Sequence, residues 1–171
     1  MNRISHLSAR FFESLRPAEP DATDVDWVRS TLTEAEYPCW ATMSRADRVE
    51  AIAVARRVEA ALGAGCDERW LAAALLHDVG KLDAGFGPFR RAGATVIAAV
   101  AGHDRVRRWP NRIGRYIGHD DRGAARLRKA GARPEAVAWA AAHHRPRTWP
   151  ASGLPLEVCV ALAAADGERS S

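Results

Sequence analysis

Seven consecutive apolar residues at positions 70–76, Trp-Leu-Ala-Ala-Ala-Leu-Leu, end directly on His77-Asp78-Val79-Gly80-Lys81. A run of this kind carries no polar face, so the segment has to sit inside a core, and it delivers an imidazole and a carboxylate to the end of a buried helix. Burying such a pair costs several kcal/mol unless each group finds a partner, and a bound cation satisfies both at once. A His–Asp hydrogen bond inside the core would account for an isolated pair. This pair is not isolated: four of the six histidines are His77, His119, His143 and His144, and Asp166 closes a second apolar run that begins near Val158.

The rest of the chain reads as helices joined by irregular connections. Ile4, Leu7, Phe11 and Leu15 recur at helical spacing and predict an N-terminal amphipathic helix that stops before Pro17. Residues 17–26 read as an acidic linker, and Trp27, Val28 and Leu32 as a short second helix. Ser44, with Asp47 three residues later, makes a capping-box-like start for a helix through Ile52 and Val58 to Leu62, ended by Gly63 and Gly65. Asp67 caps the next helix, which carries the apolar run and is expected to reach Val79 and stop at Gly80. Residues 84–88 form a glycine-rich turn without the spacing of a phosphate-binding P-loop, and residues 89–101 look helical. Asp120 and Asp121 suit the first turn of a helix ending at Gly131. Pro134 opens a helix to His144, with Pro146 as its stop, and a last helix runs from about Leu156 to Asp166. No segment shows a sustained two-residue alternation. The expected fold is therefore all-α, with residues 1–40 as a helical appendage and linker and residues 41–171 as the helical domain.

Composition narrows the function classes. A length of 171 residues, 47% hydrophobic and 27% charged, suits one domain with a substantial core. No apolar stretch approaches the ~20 residues of a membrane-spanning helix, and the first residues do not resemble a secretory signal, so a cytoplasmic protein is expected. Cys39, Cys66 and Cys159 are odd in number and widely spaced, which argues against both a disulfide framework and a zinc–thiolate site, and they read as small core residues. Net charge is +4, but residues 100–149 hold 12 Arg or Lys against four acids, +8 by difference. That excess predicts an anionic ligand, although basic runs on helices are often only solvated surface. Arg105, Arg108, Arg112 and Arg115 are the candidate anion-binding residues. Lys81 joins them, because Lys81 and Lys129 are the only lysines in an otherwise arginine-rich chain.

The candidate metal-binding set is Glu50, His77, Asp78, His119, His143 or His144, and Asp166, each near an end or inner face of an expected helix. Rigid helices crossing at fixed angles can bring such scattered residues to one point. With the segment Ala-Leu-Leu-His-Asp-Val-Gly-Lys at 74–81, His119-Asp-Asp-Arg-Gly and Ala142-His-His-Arg-Pro, the chain resembles the HD-domain superfamily of metal-dependent phosphohydrolases over roughly residues 43–166. The resemblance implies an α-helical core with His77, Asp78 and Asp166 on one divalent metal. It further implies that Asp78 bridges to a second metal held by His119 and His143 or His144. His103-Asp104 lacks the small residue that follows the first His-Asp pair and reads as a surface turn; Asp120 reads as a helix-start acid.

The chain departs from that pattern at its first histidine, where similar proteins have Asp-Arg-x-His-Ala and this one has Asp47-Arg-Val-Glu50-Ala. A carboxylate there suits Mn, Fe or Mg better than Zn. The resemblance implies a metal-dependent phosphohydrolase or phosphodiesterase acting on a nucleotide or similar small phosphate ester, with Asp78 and Lys81 as catalytic residues and one or two ions bound. The alternative is a degenerate module on the same fold that binds nucleotide or phosphate without hydrolysing it. A lesser alternative is a basic helical protein that binds RNA or an acidic membrane surface through residues 105–115.

Overall fold

The computed structural model describes residues 19–84, 102, 105, 106 and 108–167. Every regular element among them is helical. The expected N-terminal helix, the turn at 85–88, the helix at 89–101 and the turn at His103-Asp104 lie outside the described residues.

Eight α-helices can be numbered along the described chain: α1 Ala22–Thr31, α2 Tyr37–Ala41, α3 Arg45–Leu62, α4 Glu68–Leu76, α5 Arg112–Ile117, α6 His119–Ala130, α7 Pro134–Ala142 and α8 Leu156–Asp166. Three 3-10 turns, Gly63–Gly65, Val79–Ala84 and Pro146–Ala151, connect some of them. Where capping chemistry was strong, the boundaries fall as expected. Ser44 Oγ accepts from the Asp47 amide at 3.2 Å, the Asp67 side chain accepts from the Arg69 amide at 2.8 Å, and Gly131 closes α6 at φ 80°. Two stretches differ. The acidic linker is helical from Ala22, because Asp21 accepts the Asp24 amide and starts a helix there. A short helix, α5, also follows Pro110, started by Asn111, whose Oδ1 takes the amides of Ile113 and Gly114 at 3.0 Å.

Helix α4 is the centre of the fold. Residues 70–76 are all buried, and α3, α7, α8, α1 and α2 pack around them. Val28, Leu32, Cys39 and Trp40 from α1, α2 and their connections lie in the same apolar cluster, together with Val58, Leu127, Trp139 and Leu162. Cys39 and Cys159 are buried there, whereas Cys66 is only half-buried, in the turn after α3. One fully buried charge ties the N-terminal helices to α7. Glu36 accepts the Arg133 amide at 2.9 Å and the Thr33 amide at 3.0 Å, and the Arg133 guanidinium lies 3.3 Å away.

The α-helical ladder of α4 ends at Leu76, three residues earlier than expected, and the chain tightens into the 3-10 turn Val79–Ala84. The reason is a close backbone approach to α6. A Cβ on Gly80 would stand 1.9 Å from the His119 carbonyl oxygen and 2.7 Å from the Gly123 amide nitrogen. Only glycine allows the turn to lie this deep against α6, and that depth sets Asp78 beside His119.

Candidate metal centre

His77, Asp78, His119, His143, His144 and Asp166 come from four separate parts of the chain and meet at one end of the bundle. His77 is the C-cap of α4, and its Nδ1 lies 2.8 Å from the Ala74 carbonyl. His143 caps α7 in the same way, with Nδ1 3.0 Å from the Ala140 carbonyl. A carbonyl can only accept, so in both rings Nδ1 carries the proton that is donated and Nε2 is turned to the centre.

Asp78 stands between two groups of donors. Its Oδ2 lies 3.4 Å from His77 Nε2, which is itself 3.3 Å from Asp166 Oδ1. Its Oδ1 lies 3.3 Å from His119 Nε2 and 3.9 Å from His143 Nε2. His144 Nε2 completes the second group at 3.1 Å from His119 Nε2, and the donor atoms of His119, His143 and His144 all lie within 4.8 Å of one another. The Lys81 ammonium contacts Asp78 Oδ2.

Three atoms of this cluster are informative because they make no hydrogen bond. His77 Nε2, Asp78 Oδ1 and His143 Nε2 are buried without a hydrogen-bond partner, a costly arrangement for three groups in one place. Two ligand atoms each about 2.1 Å from a shared cation stand about 3.0–3.4 Å apart in octahedral or tetrahedral geometry. The spacings of His77, Asp78, Asp166 and His119 fall in or close to that interval. A mixed set of imidazoles and carboxylates converging on one space therefore fits one or two divalent cations.

The electrostatics agree with the geometry. Burial opposes charge on His77, but Asp78 and Asp166 beside it outweigh burial and raise its pKa to about 9. Asp78 is likewise opposed by burial, yet His77, Lys81 and His119 hold it well below the usual carboxylate range. His143 goes the other way: burial first, then His144, His77 and His119, keep it well below the usual imidazole range. It is thus a neutral ring, the form in which histidine binds metals. Asp166 and Lys81 are about one-fifth exposed, and His144 is more exposed than His143. The centre is closed by His77, His119 and His143 and open on the side of Lys81, Asp166 and His144.

The model of the HD domain matches residues 48–167 of the sequence, most of its length. The chain belongs to the HD domain family. HD domains are commonly metal-dependent phosphohydrolases. No curated protein and no solved structure matches the chain. The span matched to the HD domain begins in α3 and ends one residue beyond Asp166, and so includes every residue of the centre.

The remaining expected residues are exposed, or their side chains are not described. Glu50 is on α3 with a side chain 58% exposed, and its carboxylate pairs with Arg57 at 2.8 Å. That partner is seven residues on, two turns along the helix, whereas the position four residues on is Val54 and offers none. Arg105 and Arg108 are exposed; the side chains of Arg112 and Arg115 lie outside the described residues.

Two residues of the HD domain escaped the sequence reading. Arg145, directly after His143-His144, reaches Asp121 at 2.8 Å and the buried Asp120 at 3.4 Å, and so clamps the end of α7 to the start of α6. Asp120 is in the first turn of α6 but is more than a helix-start acid, being 1% exposed and paired. The visible signal was an acid pair following one histidine and an arginine following two others. Arg57 is the second, joining α3 to the end of α8.

Proposed function

We propose that this HD domain hydrolyses a small phosphate ester, of the nucleotide or phosphodiester class, with the help of one or two divalent cations. The observation that carries the reading is the set of three buried atoms without a hydrogen-bond partner, His77 Nε2, Asp78 Oδ1 and His143 Nε2, turned toward a common space beside a lysine. His77, Asp78 and Asp166 would hold one ion. Asp78, through its other oxygen, would hold a second with His119 and His143 or His144. The mixture of carboxylate and imidazole donors favours Mn or Fe, and Mg after them, over Zn. A bound divalent cation supplies Lewis acidity and charge neutralisation for attack on phosphorus.

The protein's own residues do the rest. Lys81, at the open side, offers an ammonium to the phosphoryl oxygens, and its contact with Asp78 limits where that ammonium can go. Arg105 and Arg108 are exposed cations that would draw an anion toward the domain, with Arg112 and Arg115 proposed alongside them. The Arg145 clamp holds His119 and the His143-His144 pair in one register. The apolar helix α4 behind His77 keeps bulk water from that side, which strengthens each charge interaction in the centre. No helix among the described residues is long and apolar enough to cross a membrane. The free thiols of Cys39, Cys66 and Cys159 suit the reducing cytoplasm in which we place the protein.

The experiment is a Mn2+ titration of wild type and Asp78→Ala, followed by turnover of a generic phosphodiester and a nucleotide panel. Wild type should bind the ion and release phosphate or alcohol; Asp78→Ala should lose both with its helix content retained. A wild type that binds no divalent ion refutes the metal centre. One that binds Mn2+ and nucleotide without turnover makes the domain a binding module, a reading that the exposed, ion-paired Glu50 favours.

A further inference from the structure

We propose that Arg57 is the positioning residue through which α3 serves the metal centre, and that Glu50 acts as the outer carboxylate that orients Arg57 and not as a direct ligand. The inference rests on the metal-centre reading above and adds how Asp166 is held in place. Asp166 is the last residue of α8, where the final carbonyls of a helix lack intrahelical partners. Gly167, in the left-handed region at φ 82°, turns its amide back to Ala163 and Ala164 and leaves the next carbonyl, that of Ala165, to find a donor elsewhere. Arg57 Nε supplies it at 2.7 Å, across 108 positions of sequence.

The same guanidinium donates through its terminal nitrogen to Glu50 Oε1 at 2.8 Å. A planar fork with both arms engaged has a fixed direction, which a lone flexible side chain does not. The chain of contacts runs from Glu50 to Arg57, to the Ala165 carbonyl, and through one peptide to Asp166, whose Oδ1 stands 3.3 Å from His77 Nε2. A cation at the carboxyl end of α8 also opposes the helix dipole there. Glu50 is well placed for this outer role, being more than half exposed and already paired.

Two assignments of Glu50 rank the Arg57 and Glu50 variants in opposite order. If Arg57 positions Asp166, Arg57→Ala should weaken Mn2+ binding about 10–100-fold, the usual cost of losing a group that orients a metal ligand. Glu50→Ala should weaken it less, and the double variant should bind no more weakly than Arg57→Ala alone, because both act through one contact. Arg57→Lys, which can still donate to the Ala165 carbonyl, should recover part of the loss. If Glu50 were a ligand instead, Glu50→Ala would be the more damaging variant, and the double variant would bind more weakly than Arg57→Ala alone. The titrations are made on folded protein, with thermal unfolding in metal-free buffer recorded for each variant. Loss of stability with unaltered Mn2+ affinity would overturn the positioning role. Should Arg57→Ala fail to fold, Arg57→Lys and Arg57→Gln carry the comparison with Glu50→Ala, and a Glu50→Ala loss exceeding both would overturn it. Wild type that binds no Mn2+ defeats the metal-centre reading itself, a result distinct from every outcome among the Arg57 variants.

Discussion

Replacing Gly80 by alanine tests the link between fold and site more sharply than replacing any ligand. The added Cβ would lie 1.9 Å from the His119 carbonyl oxygen and 2.7 Å from the Gly123 amide nitrogen, both backbone atoms of α6 that cannot rotate aside. Real Cβ atoms essentially never come within 3.0 Å of such atoms, so the 3-10 turn and α6 have to part by about 1 Å. Overpacking of this kind costs about 1–3 kcal/mol, or a fall in Tm of roughly 3–10 °C for a chain of this length. The functional effect should be the larger one. The gap opens between the turn that follows Asp78 and α6, whose His119 lies 3.3 Å from the Asp78 carboxylate, and a shift of about 1 Å takes a metal ligand outside its working geometry.

Gly123 provides the contrast. A Cβ there meets Gly80 N at 3.1 Å and the Val79 side chain at 3.4 Å, contacts that small adjustments can absorb. Alanine also gains about 1 kcal/mol over glycine inside a helix. Gly123→Ala should therefore be near neutral in both thermal unfolding and Mn2+ titration, while Gly80→Ala loses at least tenfold in Mn2+ affinity. Two variants that behave alike, or a Gly80→Ala protein that binds Mn2+ as wild type does, would refute the argument from close approach.

Three further outcomes can be measured independently. Glu36→Ala leaves the Arg133 guanidinium and two amides without their buried acceptor and should destabilise by about 3–5 kcal/mol in urea unfolding; a loss under about 1 kcal/mol would show that water reaches the site. Leu75→Ala, in the fully buried centre of α4, should cost about 2–5 kcal/mol, and a smaller loss would mean that α3 and α7 close over the cavity. In metal-free protein His77 is raised to about 9, so the stability it contributes is complete below an unfolded value of about 6.5 and is lost as pH rises through about 9. For the same reason Mn2+ binding at pH 7 should release a proton, detected as a dependence of the apparent binding heat on buffer ionisation enthalpy; identical heats in all buffers would exclude His77 as the proton source.

Much of this HD domain was legible from the sequence because its signals are local. The apolar run before His77 shows a buried helix without reference to any other segment, and Ser44, Asp67, Gly131 and Pro134 state where helices begin or end through side chains only a few residues away. The misjudged end of α4 had a different cause. Nothing between Leu76 and Gly80 forbids another helical turn; the turn tightens because the backbone of α6 occupies the space a side chain would need, and that contact is a property of the packed molecule.

The site divides along the same line. Residue types at His77, Asp78, His119, His143, His144 and Asp166 announce metal chemistry, and the resemblance to the HD pattern supplied an order for them that spacing alone could not. The residues that bridge the helices around them are the ones that stayed hidden. Arg57 and Arg145 were two among 23 arginines; nothing beside Arg57 distinguishes a clamp from a solvated surface cation, and the one sign at Arg145 was its place directly after His143-His144. What distinguishes them is the far end of each contact, a carbonyl at the terminus of α8 for one and a buried aspartate at the start of α6 for the other. Glu50 is the instructive case, since its place in the pattern suggested a ligand. The structure gives it an arginine partner two turns along α3, and that partner is the reason its role has to be tested together with Arg57 and cannot be decided by Glu50 variants alone.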